Sequence, residues 1–297
     1  MNTEKFKGMF PALLTPFTPD GKVNEKALEA LINYNLEKGV NGFYVNGSTA
    51  ESFLMEDADR ELVYRLCAKY AKGKCTLIAQ VGDMSVAKAI KYAKLCEELG
   101  YDAISSVTPF YFKYSSEQII DYYLSLVNAC NLPMFIYFIP ALAGAVLDNN
   151  VFETLLKDER VMGVKYTSND FFTLERLRSK YPDKIFYNGY DEMCLSGLAM
   201  GADGAIGSTY NLMAEKFVEI YRLVKEGKWT EALAVQHRAN DVISALVGGV
   251  DVKASLKYAI SELVGIDMGL CLPPQTDVPE AWKKNFVAEF KDEFKRV

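Results

Sequence analysis

Short apolar runs recur eight times down the chain, at residues 9–14, 40–45, 76–81, 103–107, 134–138, 161–165, 184–187 and 204–206. A run that is apolar at successive positions needs cover on both faces, which is the setting of a parallel strand flanked by helices. The intervening stretches, among them 25–38, 57–71, 86–99 and 116–130, carry the helical apolar period. Two architectures accept such repetition, an open doubly wound sheet and a closed barrel. The count of eight, with polar residues gathered where the runs end, favours an α/β fold of the (β/α)8 TIM-barrel kind.

Local punctuation agrees. Ser115 or Ser116, ahead of Glu117 and an apolar-periodic run, reads as a helix N-cap. Gly39 and Gly100 each follow a helical stretch and precede a strand, which suits a left-handed cap. After about residue 208 the pattern is helix alone, at 215–225, 230–246, 252–264 and 279–295. The expected organisation is a barrel over 1–225 and a helical extension over 226–297 packed on it, as one structural unit.

Composition narrows the chemistry. Thirty-three Lys and Arg against 39 Asp and Glu give a net charge of −6, which argues against a nucleic-acid or anionic-membrane surface. No apolar run approaches the ~18 residues of a membrane span, and the first residues lack the apolar core of a secretory signal. The six cysteines are scattered without a CxxC pair, as in a reduced cytoplasmic protein. His237 is the single histidine and sits in a charged helical stretch. With one His and no cysteine cluster, neither a zinc site nor a Ser–His–Asp triad is supported. Chemistry falls to Lys, Tyr, Ser and Thr.

In a barrel the active site forms at the C-terminal strand ends. After strand two comes Asn46–Gly47–Ser48–Thr49–Ala50–Glu51, whose N–H groups and hydroxyls suit an anion but also make an ordinary strand-to-helix turn. Strand four ends in Thr108–Pro109–Phe110–Tyr111–Phe112, a site wall or packing. Tyr137 closes strand five and Lys165 strand six. A lysine pointing inward there loses hydration and becomes a free amine able to attack a ketone; one pointing outward snorkels to solvent. Strands seven and eight end in Asn188–Gly189–Tyr190–Asp191–Glu192 and Gly207–Ser208–Thr209–Tyr210–Asn211. The acidic pair suits a polyol or simply the start of a helix.

Together these motifs, with Ile139–Pro140–Ala141–Leu142 and Gly163–Val164–Lys165–Tyr166–Thr167–Ser168, resemble the N-acetylneuraminate lyase / dihydrodipicolinate synthase superfamily from about Phe10 through Asn211. Leu142 stands where the synthase branch usually has an Arg, so the resemblance points to the sialic acid lyases. It implies that Lys165 forms an imine with a 2-keto acid, that no metal or organic cofactor is needed, and that Tyr137 moves the proton of the C4 hydroxyl. Ser48 and Thr49 would hold the substrate carboxylate. Thr167, Gly189, Asp191, Glu192 and Ser208 would bind the hydroxylated chain, and Tyr111 would relay a proton near Ser48 or shape the site across a subunit contact in a homotetramer. Three positions depart from the pattern. Ala50 replaces a common Gly and is expected to constrain the loop; Phe138 replaces a common Asn and is expected to shift the pocket; the stretch Gly249–Val250–Asp251–Val252 lacks an aromatic. The readings carried forward are cleavage of N-acetylneuraminate to pyruvate and N-acetylmannosamine, a related pyruvate-dependent aldolase or synthase, and a non-catalytic sugar-acid binder.

Overall fold

The computed structural model describes residues 3–144 and 147–294. Its strands are β1 (Gly8–Pro11), β2 (Gly42–Val45), β3 (Thr76–Gln80), β4 (Ala103–Val107), β5 (Met134–Phe138), β6 (Val161–Tyr166), β7 (Ile185–Asn188) and β8 (Gly204–Gly207). They pair in parallel in the order β1-β8-β7-β6-β5-β4-β3-β2. The two ends of this sheet meet at an Ala12–Tyr44 bridge, where the Leu13 N–H donates to the Tyr44 carbonyl at 3.0 Å. That contact decides for a closed barrel over an open sheet.

The outer layer holds α1 (Glu25–Glu37), α2 (Asp57–Ala71), α3 (Val86–Leu99), α4 (Ser116–Val127), the short α5 (Pro140–Ala143), α6 (Asn149–Leu156), α7 (Phe171–Lys180), α8 (Cys194–Ala199) and α9 (Tyr210–Lys225). Ser115 is the N-cap of α4 and shares a full capping box with Gln118; Gly100 caps α3 at φ 77°. No described helix is long and apolar enough to cross a membrane.

Both faces of the strands are buried, and side chains alternate between two cores. Phe10, Tyr44, Ile78, Phe135, Tyr137 and Tyr187 fill the barrel interior. Val45, Ala79, Ile136, Val164 and Phe186 face the helices. This double burial is why the runs read as continuously apolar. Phe6, from a 3₁₀ turn at Glu4–Phe6, closes the lower end edge-on against Phe135 at 5.4 Å. Alternation also corrects one expectation. Phe138 follows the inward Tyr137 and so faces outward, packing on Phe152 at 5.4 Å and Tyr166 at 5.1 Å. It does not shift the pocket.

Beyond α9 come α10 (Trp229–Val247), α11 (Val252–Ala259) and α12 (Glu280–Phe294). The stretch expected as one helix at 252–264 instead passes into a π turn, Ile260–Val264, ended by Gly265 at φ 77°. Gln236 and Asn240 of α10 reach back and donate to the Asp191 and Glu192 carbonyls, each at 3.1 Å. His237 is exposed.

Asn211 stitches the upper rim. Fully buried, it donates through Nδ2 to Ala12 O at 2.7 Å and Ser208 O at 2.8 Å, and accepts the Leu14 N–H at 3.1 Å. Asn211→Leu is expected to cost about 3 kcal/mol by orphaning those backbone groups, read as a lower urea midpoint at unchanged slope. A loss below about 0.5 kcal/mol would contradict this role.

Candidate active site

Lys165 is the penultimate residue of β6, with Tyr137 and Tyr187 as its register partners on either side. It points into the barrel and is 4% exposed. Its Nζ lies 4.0 Å from the Tyr137 ring centre and 4.2 Å from that of Tyr44. Burial disfavours the ammonium and brings its pKa down to about 7, while the negative charge of Asp191 works the other way. The ring faces supply part of the lost solvation when the group is charged. The inward alternative of the two strand-end readings is therefore the one realised.

Tyr137 meets Tyr44 edge-on at 5.8 Å. Burial pushes its phenol up to about 12, against the opposing influence of the Ser48 hydroxyl. It is thus a protonated phenol at neutral pH. Tyr44 donates to or accepts from Ser105 at 3.0 Å, and burial holds its pKa well above the usual range.

The loop after β2 passes over Tyr44. A Cβ on Gly47 would sit 2.9 Å from the Tyr44 ring, so glycine is what admits this approach. Ser48–Ala50 form a 3₁₀ turn that directs Ser48 and Thr49 to the cavity. The left-handed positions of the loop are Asn46 (φ 58°) and Glu51 (φ 61°). Ala50 has no positive φ; its N–H donates to Gly47 O at 3.1 Å, so the expected constraint from its methyl group is absent. Asn46 is held by a bond from its Nδ2 to Arg60 O at 2.9 Å.

On the facing wall, Thr167 is buried and its Oγ1 has no partner among the described residues. A Cβ on Gly189 would lie 1.9 Å from that oxygen, so glycine keeps it open to the cavity. The acidic pair is not a matched one. Asp191 is buried, and its Oδ2 accepts the Thr209 N–H and hydroxyl, each at 2.7 Å. Burial raises its pKa to about 6, against the lowering by those bonds. Glu192 is exposed.

One cavity of about 210 Å³ gathers Ser48, Thr49, Tyr137, Lys165, Thr167, Gly189 and Ser208. Asp191 and Glu192, expected to bind substrate, are not among the residues lining it; Asp191 acts on Lys165 through its charge. Tyr111 stands apart: it is 83% exposed, at φ 76°, with its ring edge-on to Phe112 at 5.0 Å. Two further site residues carry no signal in the sequence: Tyr44, hidden in an apolar run, and Lys253 of α11, whose place on the wall depends on helix packing. Val252 lines the cavity where the aromatic is lacking, and Leu142 lines it while 69% exposed. A second, mostly apolar cavity of about 260 Å³ adjoins, sharing Ser48, Ile139, Leu142 and Lys253. A larger cleft, about 660 Å³, is at the opposite end around Lys7, Ile185 and Asp203, away from the lysine.

The sequence model of the dihydrodipicolinate synthetase family matches residues 5–293. The chain is 39% identical over 295 residues to the N-acetylneuraminate lyase of Pasteurella multocida, covering 98% of this chain and 99% of that protein. A Ruminococcus gnavus sialic acid aldolase, solved as a catalytic lysine mutant, superposes with a TM-score of 0.94 at 31% identity, covering 99% of each chain. The N-acetylneuraminate lyase of Fusobacterium nucleatum complexed with pyruvate superposes with a TM-score of 0.91 at 37% identity, covering 99% of this chain and 98% of that one.

The depressed lysine has a consequence for stability. Between its folded pKa of about 7 and the ordinary 10.5, the unfolded chain binds a proton that the folded one does not, so stability rises with pH there. Below that window the full burial cost remains. Lys165→Met is therefore expected to be more stable than wild type at pH 6, by on the order of 4 kcal/mol, with the gap closing toward pH 10. Denaturant unfolding at both pH values checks this; a pH-independent gap would contradict it.

Proposed function

The chain belongs to the dihydrodipicolinate synthetase family, and from that premise we propose that it is a class I aldolase cleaving N-acetylneuraminate reversibly to pyruvate and N-acetylmannosamine through an imine on Lys165. The observation that carries the reading is a lysine with a pKa of about 7 beside a phenol, facing a wall of hydroxyls. The near-full-length likeness to an N-acetylneuraminate lyase and to a sialic acid aldolase solved as a catalytic lysine mutant supports it. Leu142, in place of an Arg, offers no group to a second carboxylate and disfavours the synthase.

In this reading the neutral Lys165 amine adds to the C2 ketone; with one proton taken up from solvent the ketone oxygen leaves as water and a protonated imine remains, and the final hydrolysis releases that proton. The C3–C4 bond then breaks and its electron pair flows to the imine nitrogen, giving an enamine. As it breaks, the C4 hydroxyl proton moves to the Tyr137 oxygen. A phenol with a pKa of about 12 is not a standing base, so Tyr137 passes its own proton to the substrate carboxylate in the same step. The aldehyde departs, the proton returns along the same path to C3, and water hydrolyses the imine to pyruvate and free Lys165. Run backwards, the steps make the sugar acid.

Ser48 and Thr49 hold the carboxylate beside Tyr137. Thr167, Gly189 and Ser208 meet the hydroxylated chain, Glu192 its far end, and Asp191 braces the wall through Thr209 while balancing charge on Lys165. Tyr111, exposed and strained, reaches the site of a second copy near Ser48 in a homotetramer. The reaction belongs to the cytoplasm, where the six free cysteines stay reduced.

Borohydride reduction in the presence of pyruvate, followed by intact mass, is expected to show a stable adduct on wild type and none on Lys165→Ala. A wild type without adduct would sink the reading. Tyr137→Phe is expected to keep the adduct and lose about 100-fold or more in turnover; unchanged turnover would remove Tyr137 from its role. Pyruvate release from another keto-deoxy sugar acid, and none from N-acetylneuraminate, would favour the related-aldolase alternative.

A further inference from the structure

Glu51 ends the loop that carries Ser48 and Thr49, and its N–H donates to Ser48 O at 3.1 Å. Glu51 is absent from the wall of the Lys165 cavity and contributes to that of the adjoining apolar one. It forms an ion pair with Lys257 of α11, Oε1 to Nζ at 2.6 Å, with the two side chains 0% and 1% exposed. Glu51 Oε2 accepts the Leu272 N–H at 2.6 Å. Lys257 also donates to Leu270 O at 3.2 Å and sits 4.2 Å over the Phe17 ring. Three segments therefore converge on one buried pair: the loop after β2, α11 and the 270–272 stretch.

Burying both charges strips water from each, and an apolar pair of similar volume would hold α11 on the barrel as well or better. What this ion pair adds, each partner being hydrogen-bonded to the 270–272 stretch, is direction. Glu51 is left-handed (φ 61°, ψ 28°), a conformation that its surroundings must hold in place for a non-glycine residue. One helical turn before Lys257, Lys253 lines the cavity together with Val252. The same contact thus sets the loop on one side and α11 on the other side of a single site.

We propose that Glu51 and Lys257 are a positioning pair that holds the Ser48–Thr49 loop in the geometry that binds the substrate carboxylate. This rests on the reading that the loop is the carboxylate holder. It assigns to the C-terminal helices a share in binding the keto acid, through a contact that touches no substrate. Loss of the pair acts on capture of the carboxylate and leaves the amine of Lys165 competent.

The test compares two ketones of similar size, pyruvate and hydroxyacetone, which has a hydroxymethyl group in place of the carboxylate. Half-saturation of imine formation is measured for each by borohydride trapping and intact mass. For Lys257→Met the pyruvate half-saturation is expected to rise about tenfold or more, with full labelling at saturation and the hydroxyacetone value within about twofold of wild type. A parallel change for both ketones, or no change for either, would overturn the proposal. If Lys257→Met does not fold, Glu51→Gln with Lys257→Met leaves no unpaired buried charge and takes the same two measurements. Ser48→Ala with Thr49→Val separates the failures. If that variant keeps wild-type preference for pyruvate, the carboxylate reading itself is wrong; if it loses the preference while the Lys257 variant keeps it, the positioning pair alone is wrong.

Discussion

When β6 turns Lys165 into the barrel, its ammonium gives up water for the faces of Tyr44 and Tyr137. That exchange is unfavourable for the charged form, and the pKa settles at about 7. Every other feature of the site works around this amine. The tyrosines pack against it, the charge of Asp191 offsets part of the desolvation, and Ser48, Thr49, Thr167 and Ser208 line the same cavity. The Asp191 carboxyl, raised to about 6, and the Lys165 amine, lowered to about 7, are drawn toward each other's range by burial. Neither value would arise at a solvated strand end.

Closure of the barrel makes the arrangement possible. Eight parallel strands deliver their C-terminal ends to one rim, so residues far apart in sequence become neighbours. Strand alternation then sorts them: Tyr137 inward, Phe138 outward, Lys165 inward, Tyr166 outward. The α10 and α11 helices add to the rim rather than merely covering it. Gln236 and Asn240 hold the turn of Asp191 and Glu192, while α11 supplies Val252 and Lys253 to the wall and Lys257 to the buried pair.

Much of this was legible in the sequence, for physical reasons. Double burial leaves continuous apolar runs, and glycines such as Gly100 mark where helices must stop. The resemblance then drew together seven residues that the structure finds around one cavity. What stayed hidden depends on distance or direction. Whether Lys165 pointed in or out is a matter of register, which a strand-end lysine does not declare. Tyr44 looked like any residue of an apolar run. Glu51 was visible as part of a motif, but the Leu272 N–H that it accepts is 221 positions away. The expectations for Ala50 and Phe138 failed because both assumed a backbone or facing that only the folded loop and strand define. Asp191 and Glu192 read as a pair, yet hydrogen bonding from Thr209 draws one inward and leaves the other at the surface.

Burial lowers the Lys165 pKa to about 7, and on the proposed function this is what prepares its amine for attack on a ketone. The pH dependence of the initial rate of pyruvate imine formation, trapped with borohydride and counted by intact mass, tests it most directly. The rate is expected to fall about tenfold per pH unit below the lysine's pKa and to level off above it, with the break near pH 7. A rate that keeps climbing through pH 9, as for an ordinary solvated lysine, would contradict it.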